Sequence, residues 1–221
     1  MSPHDGPAVL VADALTVTYG AVTALADVGL AVPAGGFLAV TGASGAGKTT
    51  LLLALAGALR PARGQVVHAG TAVTDRHRAA AAGIALVPQG NALVSTLTGR
   101  ENIVLALLAL GVPAGQAGPR ADAALADVGL ADWAGHLVEE YSGGQQQRVA
   151  VARALAAEPA VLLADEPTSD LDAANRERVI ALLRARARAG AAVVMTTHDP
   201  EAAAHADRVV HLDEGRLGAA D

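Results

Sequence analysis

Four apolar runs of β-type residues recur along the chain, and each closes on polar residues or glycine: Phe37-Leu38-Ala39-Val40, Ile84-Ala85-Leu86-Val87, Val161-Leu162-Leu163-Ala164 and Ala191–Thr197. Runs of this length and composition predict core strands. Ahead of them, residues 9–32 alternate in a β manner, as Ala14–Tyr19 and Val28–Val32, with Gly20 as a turn. Antiparallel strands are therefore expected at the start. Helical patterns fill the intervals. Thr50–Ala56 follows the first core strand, and residues 97–138 read as helix broken at Gly111-Val112-Pro113 and at Gly129. A further helix runs from Ser142 to about Ala157. Thr98–Glu101 has the form of a capping box ahead of Ile103–Leu110. Arg60–Gly64 reads as a helix stop and turn, Val66-Val67 as a short strand, Arg76–Ala82 as a basic, alanine-rich connection, and Arg208–Leu217 as an edge hairpin.

Composition narrows the class. The chain has 221 residues, enough for one α/β domain with a full core. Apolar residues make up 52%, but alanine dominates and aromatics are only 2%, so the hydropathy reflects composition. Continuous apolar runs such as Ile103–Val112 fall short of the roughly 18–20 residues a membrane span needs. Met1–Asp5 shows no basic n-region or apolar core, which predicts a cytosolic chain. There is no cysteine, which excludes disulfides and thiol chemistry. A net charge of −6 argues against bulk nucleic-acid binding. The arginine-dense stretch Arg176, Arg178, Arg184, Arg186 and Arg188 spreads around a helix and reads as a solvated face.

The chemistry centres on Gly42-Ala43-Ser44-Gly45-Ala46-Gly47-Lys48-Thr49, which fits the phosphate-loop pattern G-x-x-x-x-G-K-[ST] between a strand and a helix. Glycines let successive N–H groups converge on the β- and γ-phosphates of a nucleoside triphosphate, and the helix adds its positive end. Lys48 supplies a mobile charge and Thr49 a hydroxyl for Mg²⁺. Gln89 falls just past a strand's carboxyl end, where ligands of open parallel sheets collect. Asp165 and Glu166 close an apolar strand. If both remain extended they point to opposite sides, Asp165 suited to hydrated Mg²⁺ and Glu166 to taking a proton from an attacking water. Ser142-Gly143-Gly144 opens a helix and could hold an anion, although such a turn is also a common N-cap. Pro167–Asp172 is turn-rich and caps the helix that follows. Of the seven histidines only His198 ends a predicted core strand; His4, His68, His77, His136, His205 and His211 read as incidental.

Taken in order, these segments resemble the nucleotide-binding subunit of ATP-binding-cassette (ABC) transporters over essentially the whole chain. The resemblance implies a phosphate-loop NTPase core, a mainly parallel sheet flanked by helices, with an N-terminal antiparallel β subdomain and a helical insert carrying the signature. One domain is expected over 1–221, its core at about 9–90 and 155–221 and its helical part at about 91–154. It further implies an aromatic A-loop at Tyr19 stacking on adenine, Walker A from Gly42 to Thr49 with Thr50, a Q-loop at Gln89, a signature at Ser142-Gly143-Gly144-Gln145, Walker B ending at Glu166, a D-loop at Asp172 and a switch histidine at His198. ATP is the expected nucleotide. Catalysis is assigned to Lys48, Glu166 and His198, and Mg²⁺ to Thr49, Gln89 and Asp165. Partners implied are a second copy, head to tail, and a membrane permease that holds the chain peripherally on the inner face of the cell membrane.

Tyr141 stands where the family's L-S-G-G-Q has leucine, and Gln146-Gln147 replaces a more charged pair. Val87–Asn91 and Asp165–Asp172 look like the lipoprotein-release and macrolide-efflux type, which points to export. The alternative is a soluble ABC ATPase acting on DNA or ribosomes; such proteins usually carry a coiled-coil insertion, zinc modules or two cassettes. An inactive regulatory cassette is disfavoured by the presence of Lys48, Asp165, Glu166 and His198.

Overall fold

A computed structural model of the chain describes residues 8–218, so the reading of Met1–Asp5 and of His4 lies outside the described residues. The alternating N-terminal segment forms a long hairpin, β1 (Ala8–Tyr19) and β2 (Val22–Pro33), in register Tyr19↔Val22 around Gly20. Next come β3 (Phe37–Thr41) and α1 (Lys48–Leu55), then β4 (Arg63–His68) and β5 (Thr71–Ala72), which join the hairpin in an antiparallel sheet of order β2-β1-β4-β5. Arg63 and Gly64 thus begin a strand, where a helix stop and turn were expected. The basic connection is in part a short helix, α2 (Arg76–Ala81), because the Asp75 carboxylate accepts from the Arg78 N–H and caps it.

The second sheet runs β10-β9-β3-β8-β7-β6 and is parallel except at the last hairpin. Its members are β3, β6 (Ile84–Val87), β7 (Val161–Asp165), β8 (Ala192–Thr196), β9 (Arg208–Asp213) and β10 (Arg216–Gly218). The apolar runs lack alternation because both faces are covered. On one face Leu38, Val40, Val161, Leu163, Ala192 and Val194 pack with α1 and the antiparallel sheet. On the other, Phe37, Ala39, Leu162, Ala164, Val193 and Met195 pack under α5 (Gly143–Ala156) and α6 (Ala173–Arg188).

A third core unites α3 (Gly99–Ala109) and α4 (Ala114–Asp127) with α5 through Ile103, Leu107, Ala121, Leu125, Val149 and Ala152. The expected breaks at Gly111–Pro113 and Gly129 separate these helices, and the capping box at Thr98 and Glu101 is formed. Helix α5 therefore serves two cores, presenting Val149 and Ala152 to the helical part and Ala150 and Val151 to the sheet. A last short helix, α7 (Pro200–Ala203), leads to β9.

The α6 arginines depart from the solvated-face expectation. Arg186 donates to the carbonyls of Glu158 and Pro159, Arg184 to that of His205, and Arg176 lies beside Asp199 and Glu201. Only Arg178 and Arg188 stay exposed. Guanidiniums with several donors in a fixed fork suit backbone carbonyls at turns, which periodicity cannot reveal.

The loop from Gly42 to Thr49 is braced from both ends of the chain. At Gly42 (φ 150°) a side chain would overlap the Leu212 carbonyl, and at Gly47 (φ 105°) a Cβ would lie 2.6 Å from the Ala24 carbonyl. Between them the Gly215 N–H donates to Ala46 O (3.0 Å), and the Gly215 carbonyl accepts from Ala26 N–H (2.8 Å). Glycine at both positions is a packing requirement as well as a backbone one.

Candidate functional site

Four of the parallel strands end at one edge, and their following residues converge. The loop after β3, Gln89 after β6, Asp165 and Glu166 at the end of β7, and His198 after β8 together line a polar cavity of about 610 Å³. Ser44, Gly45, Gly47, Lys48, Thr49 and Thr50 complete the wall, with Ala24 and Ser169. This is the carboxyl edge of an open α/β sheet, where ligands gather.

Lys48 opens α1 and is nearly buried. Its Nζ donates to the carbonyls of Gly42 (2.7 Å) and Ala43 (3.2 Å) and lies 3.6 Å from Glu166 Oε1. The other carboxylate oxygen of Glu166, Oε2, accepts from His198 Nδ1 at 2.9 Å and weakly from the His198 backbone N–H at 3.4 Å. That contact requires the imidazole proton on Nδ1. Glu166 thus stands between an ammonium and an imidazole in the wall of the cavity.

The expectation that Asp165 and Glu166 diverge because both are extended needs correction. Strand β7 ends at Asp165, and Glu166 has φ 49°, in the left-handed region. A non-glycine residue held there is over-determined by its surroundings. The cause is Thr196 on β8, a residue that carried no signal as one more small residue in a buried strand. Its fully buried hydroxyl donates to Asp165 Oδ1 (2.6 Å) and accepts from the Glu166 N–H (3.1 Å). The Thr196 carbonyl takes the same N–H at 3.2 Å. One threonine therefore fixes both acids.

Thr49, Gln89 and Asp165 also share the lining of a cavity adjoining the first. Their donors are a hydroxyl, an amide oxygen and a carboxylate, all hard oxygen, and the set suits Mg²⁺ better than a softer metal. The loop wall around Gly45, where a Cβ would meet nothing within 4 Å, and the buried ammonium of Lys48 fit a polyphosphate. The residues present therefore fit a nucleoside triphosphate with magnesium.

The remaining expected residues lie outside that cavity. Tyr19 ends β1 and is half exposed. Ser142 caps α5, its Oγ accepting from the Gln145 N–H while Gln145 Oε1 accepts from the Ser142 N–H, a complete capping box. Asp172 caps α6, and the Asn175 N–H, then the Asn175 side chain, hold its carboxyl below the usual range, with Arg148 adding to the effect. These two turns touch: a Cβ at Gly144 would lie 2.8 Å from the Asp170 carbonyl. Tyr141 is buried, its hydroxyl donating to the Trp133 carbonyl (2.5 Å) and its ring meeting Trp133 edge-on at 5.8 Å. Burial pushes its pKa up. Gln146 donates to the Val138 and Tyr141 carbonyls, so it serves the turn from within.

No helix among the described residues is long and apolar enough to cross a membrane. A family model described as ABC transporter matches residues 25–169. The chain is 42% identical over 202 residues to the lipoprotein-releasing system ATP-binding protein LolD of Chromohalobacter salexigens, covering 89% of this chain and 85% of that one. It is 43% identical over 218 residues to the cobalt import ATP-binding protein CbiO of Rhodobacter capsulatus, covering 95% and 77%. Among solved structures, the dimeric ATP-binding cassette MJ0796, in a post-hydrolysis state bound to ADP and Pi, superposes with a TM-score of 0.89 at 32% identity, covering 95% of this chain and 97% of that one.

Proposed function

This chain belongs to the ABC transporter family, and from that premise we propose that it is the ATP-binding and ATP-hydrolysing subunit of a transporter, working as a head-to-tail pair with a second copy. One observation carries the reading. Lys48, Thr49, Gln89, Asp165, Glu166 and His198 line one cavity, whereas Ser142, Gly143, Gly144 and Asp172 of the same chain lie outside it. A site completed by the partner's signature accounts for that separation, and the dimeric neighbour supports it.

In the proposed roles, the loop N–H groups and Lys48 hold the β- and γ-phosphates, Tyr19 stacks on adenine, and Thr49, Gln89 and Asp165 hold the metal. Magnesium, when bound, would offset charge on the phosphate oxygens. Glu166 accepts the proton of the attacking water, its carboxylate aimed by Lys48 and His198, and His198 then faces the γ-phosphate. Phosphoryl transfer needs chiefly positioning and charge, which fixed groups supply without reorganising. The second copy's Ser142–Gln145 turn brings a helix N-terminus to the same phosphate. Closure on ATP and reopening after hydrolysis would move a permease, through which the chain sits peripherally on the membrane. The core at about 9–90 and 155–221 and the helical part at about 91–154 are the bodies that carry the two halves of the site. Export or lipoprotein release is supported by the LolD relative and weighed against by an equal likeness to a cobalt import protein.

The test is Glu166→Gln. The amide cannot take the proton, so ATP turnover should fall by about 10²–10⁴ while ATP is still bound. Turnover equal to the native chain would show that Glu166 is not the base. Recovery with a membrane permease supports the transport role, and salt-sensitive nucleic-acid binding would favour the ribosome or DNA alternative.

A further inference from the structure

Residues 90–92 leave the sheet in an unusual conformation. Asn91 (φ 65°) and Ala92 (φ 47°) are consecutive left-handed residues, and the Asn91 side-chain oxygen is buried without a partner. Such backbone persists only where its surroundings hold it. What holds it is Arg153, in the last turn of α5: Nη2 donates to Asn91 O at 2.8 Å and Nη1 to Ala92 O at 2.6 Å. Both are short charge-assisted bonds. Burial lowers the pKa of this guanidinium, and the charged group that acts on it next is another cation, Arg76. A part-buried cation supported by two loop carbonyls is costly unless both contacts are kept.

The two ends of this contact have different duties. Two residues before Asn91 is Gln89, which lines the cavity with Thr49 and Asp165. The helix carrying Arg153 begins at the Ser142-Gly143-Gly144 turn, outside that cavity. We propose that Arg153 is a positioning residue that makes the Gln89 loop and the signature helix of one chain move as a unit, so that ATP held in a chain's own cavity sets the signature turn for its partner's ATP. The inference rests on the head-to-tail reading above.

The test uses the full chain carrying Glu166→Gln, in which bound ATP persists, with Arg153 intact, replaced by Met, or replaced by Lys. ATP binding is measured at protein dilution that keeps the chain monomeric, and ATP-driven dimer formation by sedimentation. Arg153→Met should bind ATP within about twofold of the parent yet need about tenfold more ATP to form the dimer, as expected for lost charge-assisted bonds. Arg153→Lys keeps the charge but not the fork and should fall between. Should the Met variant not fold, the Lys variant decides, with a shift of about threefold. Equal dimerisation with and without Arg153, or binding and dimerisation weakened in proportion, overturns the inference. A parent that never dimerises on ATP overturns the head-to-tail reading itself.

Discussion

Gly99 is buried at the first position of α3, with ordinary helical backbone, so alanine there should improve helix propensity by up to about 1 kcal/mol, and by less in the first turn. The structure predicts the opposite sign. A methyl at this position would overlap the Tyr141 hydroxyl and lie 3.1 Å from its Cζ. Tyr141 cannot swing away freely: its ring is buried edge-on to Trp133 and its hydroxyl is committed to the Trp133 carbonyl. Overpacking costs about 1–3 kcal/mol, and the lost hydrogen bond about 1 kcal/mol more. Set against the propensity gain, the net is about 1–3 kcal/mol of destabilisation. For a chain of this size each kcal/mol lowers Tm by about 2–4 °C. Thermal unfolding of Gly99→Ala, Tyr141→Leu and the double variant forms a double-mutant cycle. The Gly99→Ala penalty should largely vanish in the Tyr141→Leu background, where no ring meets the methyl. An unchanged or raised Tm for Gly99→Ala alone, or the same loss in both backgrounds, would refute the steric argument. Because Ser142 follows Tyr141, a displaced ring should also weaken ATP turnover.

Thr196→Val keeps the shape but removes the hydroxyl that serves both acids, leaving Asp165 Oδ1 unpaired in the interior; about 1–3 kcal/mol of stability should be lost, with turnover falling further than ATP binding does. Denaturant midpoints and steady-state kinetics together check this. Asp75 and Asp172 cap helices and Glu101 completes the capping box of Thr98, and in each case a backbone N–H, from Arg78, Asn175 and Thr98 respectively, is the main cause of a lowered carboxyl pKa. A depressed folded pKa gives stability that is present above the unfolded value, about 4, and lost as pH falls through the folded value. Tm should therefore drop on acidification below about pH 4, and Glu101→Gln should make that drop shallower.

The sheet was legible because strands buried on both faces leave uninterrupted apolar runs, and the phosphate loop because its chemistry demands adjacent residues. Contacts between distant residues were not. Gly99 and Tyr141 are separated by the whole of α3 and α4, so nothing local links the tyrosine in place of leucine to the glycine that admits it. Thr196 looks like filler in a buried strand until the register Asp165↔Thr196 sets it beside the acids. Strand parity does not reach Glu166, which lies one residue past the end of β7 and turns into the left-handed region. Arginines on α6 and at Arg153 read as charge, whereas their use is as donors to carbonyls far along the chain.

The brace on the phosphate loop also bears on the order in which the protein is made. The loop leaves the ribosome well before its supports, because β3 pairs with β8 and β9, and the Leu212 and Gly215 backbone that props the loop is made later still. A nascent chain thus carries every residue of its phosphate loop long before the loop has its walls. Long-range parallel pairing of this kind is slow and leaves apolar strands waiting. Nucleotide affinity is then acquired only after β9 has been made, and a chain cut short before β9 should present the motif without the ability to hold ATP.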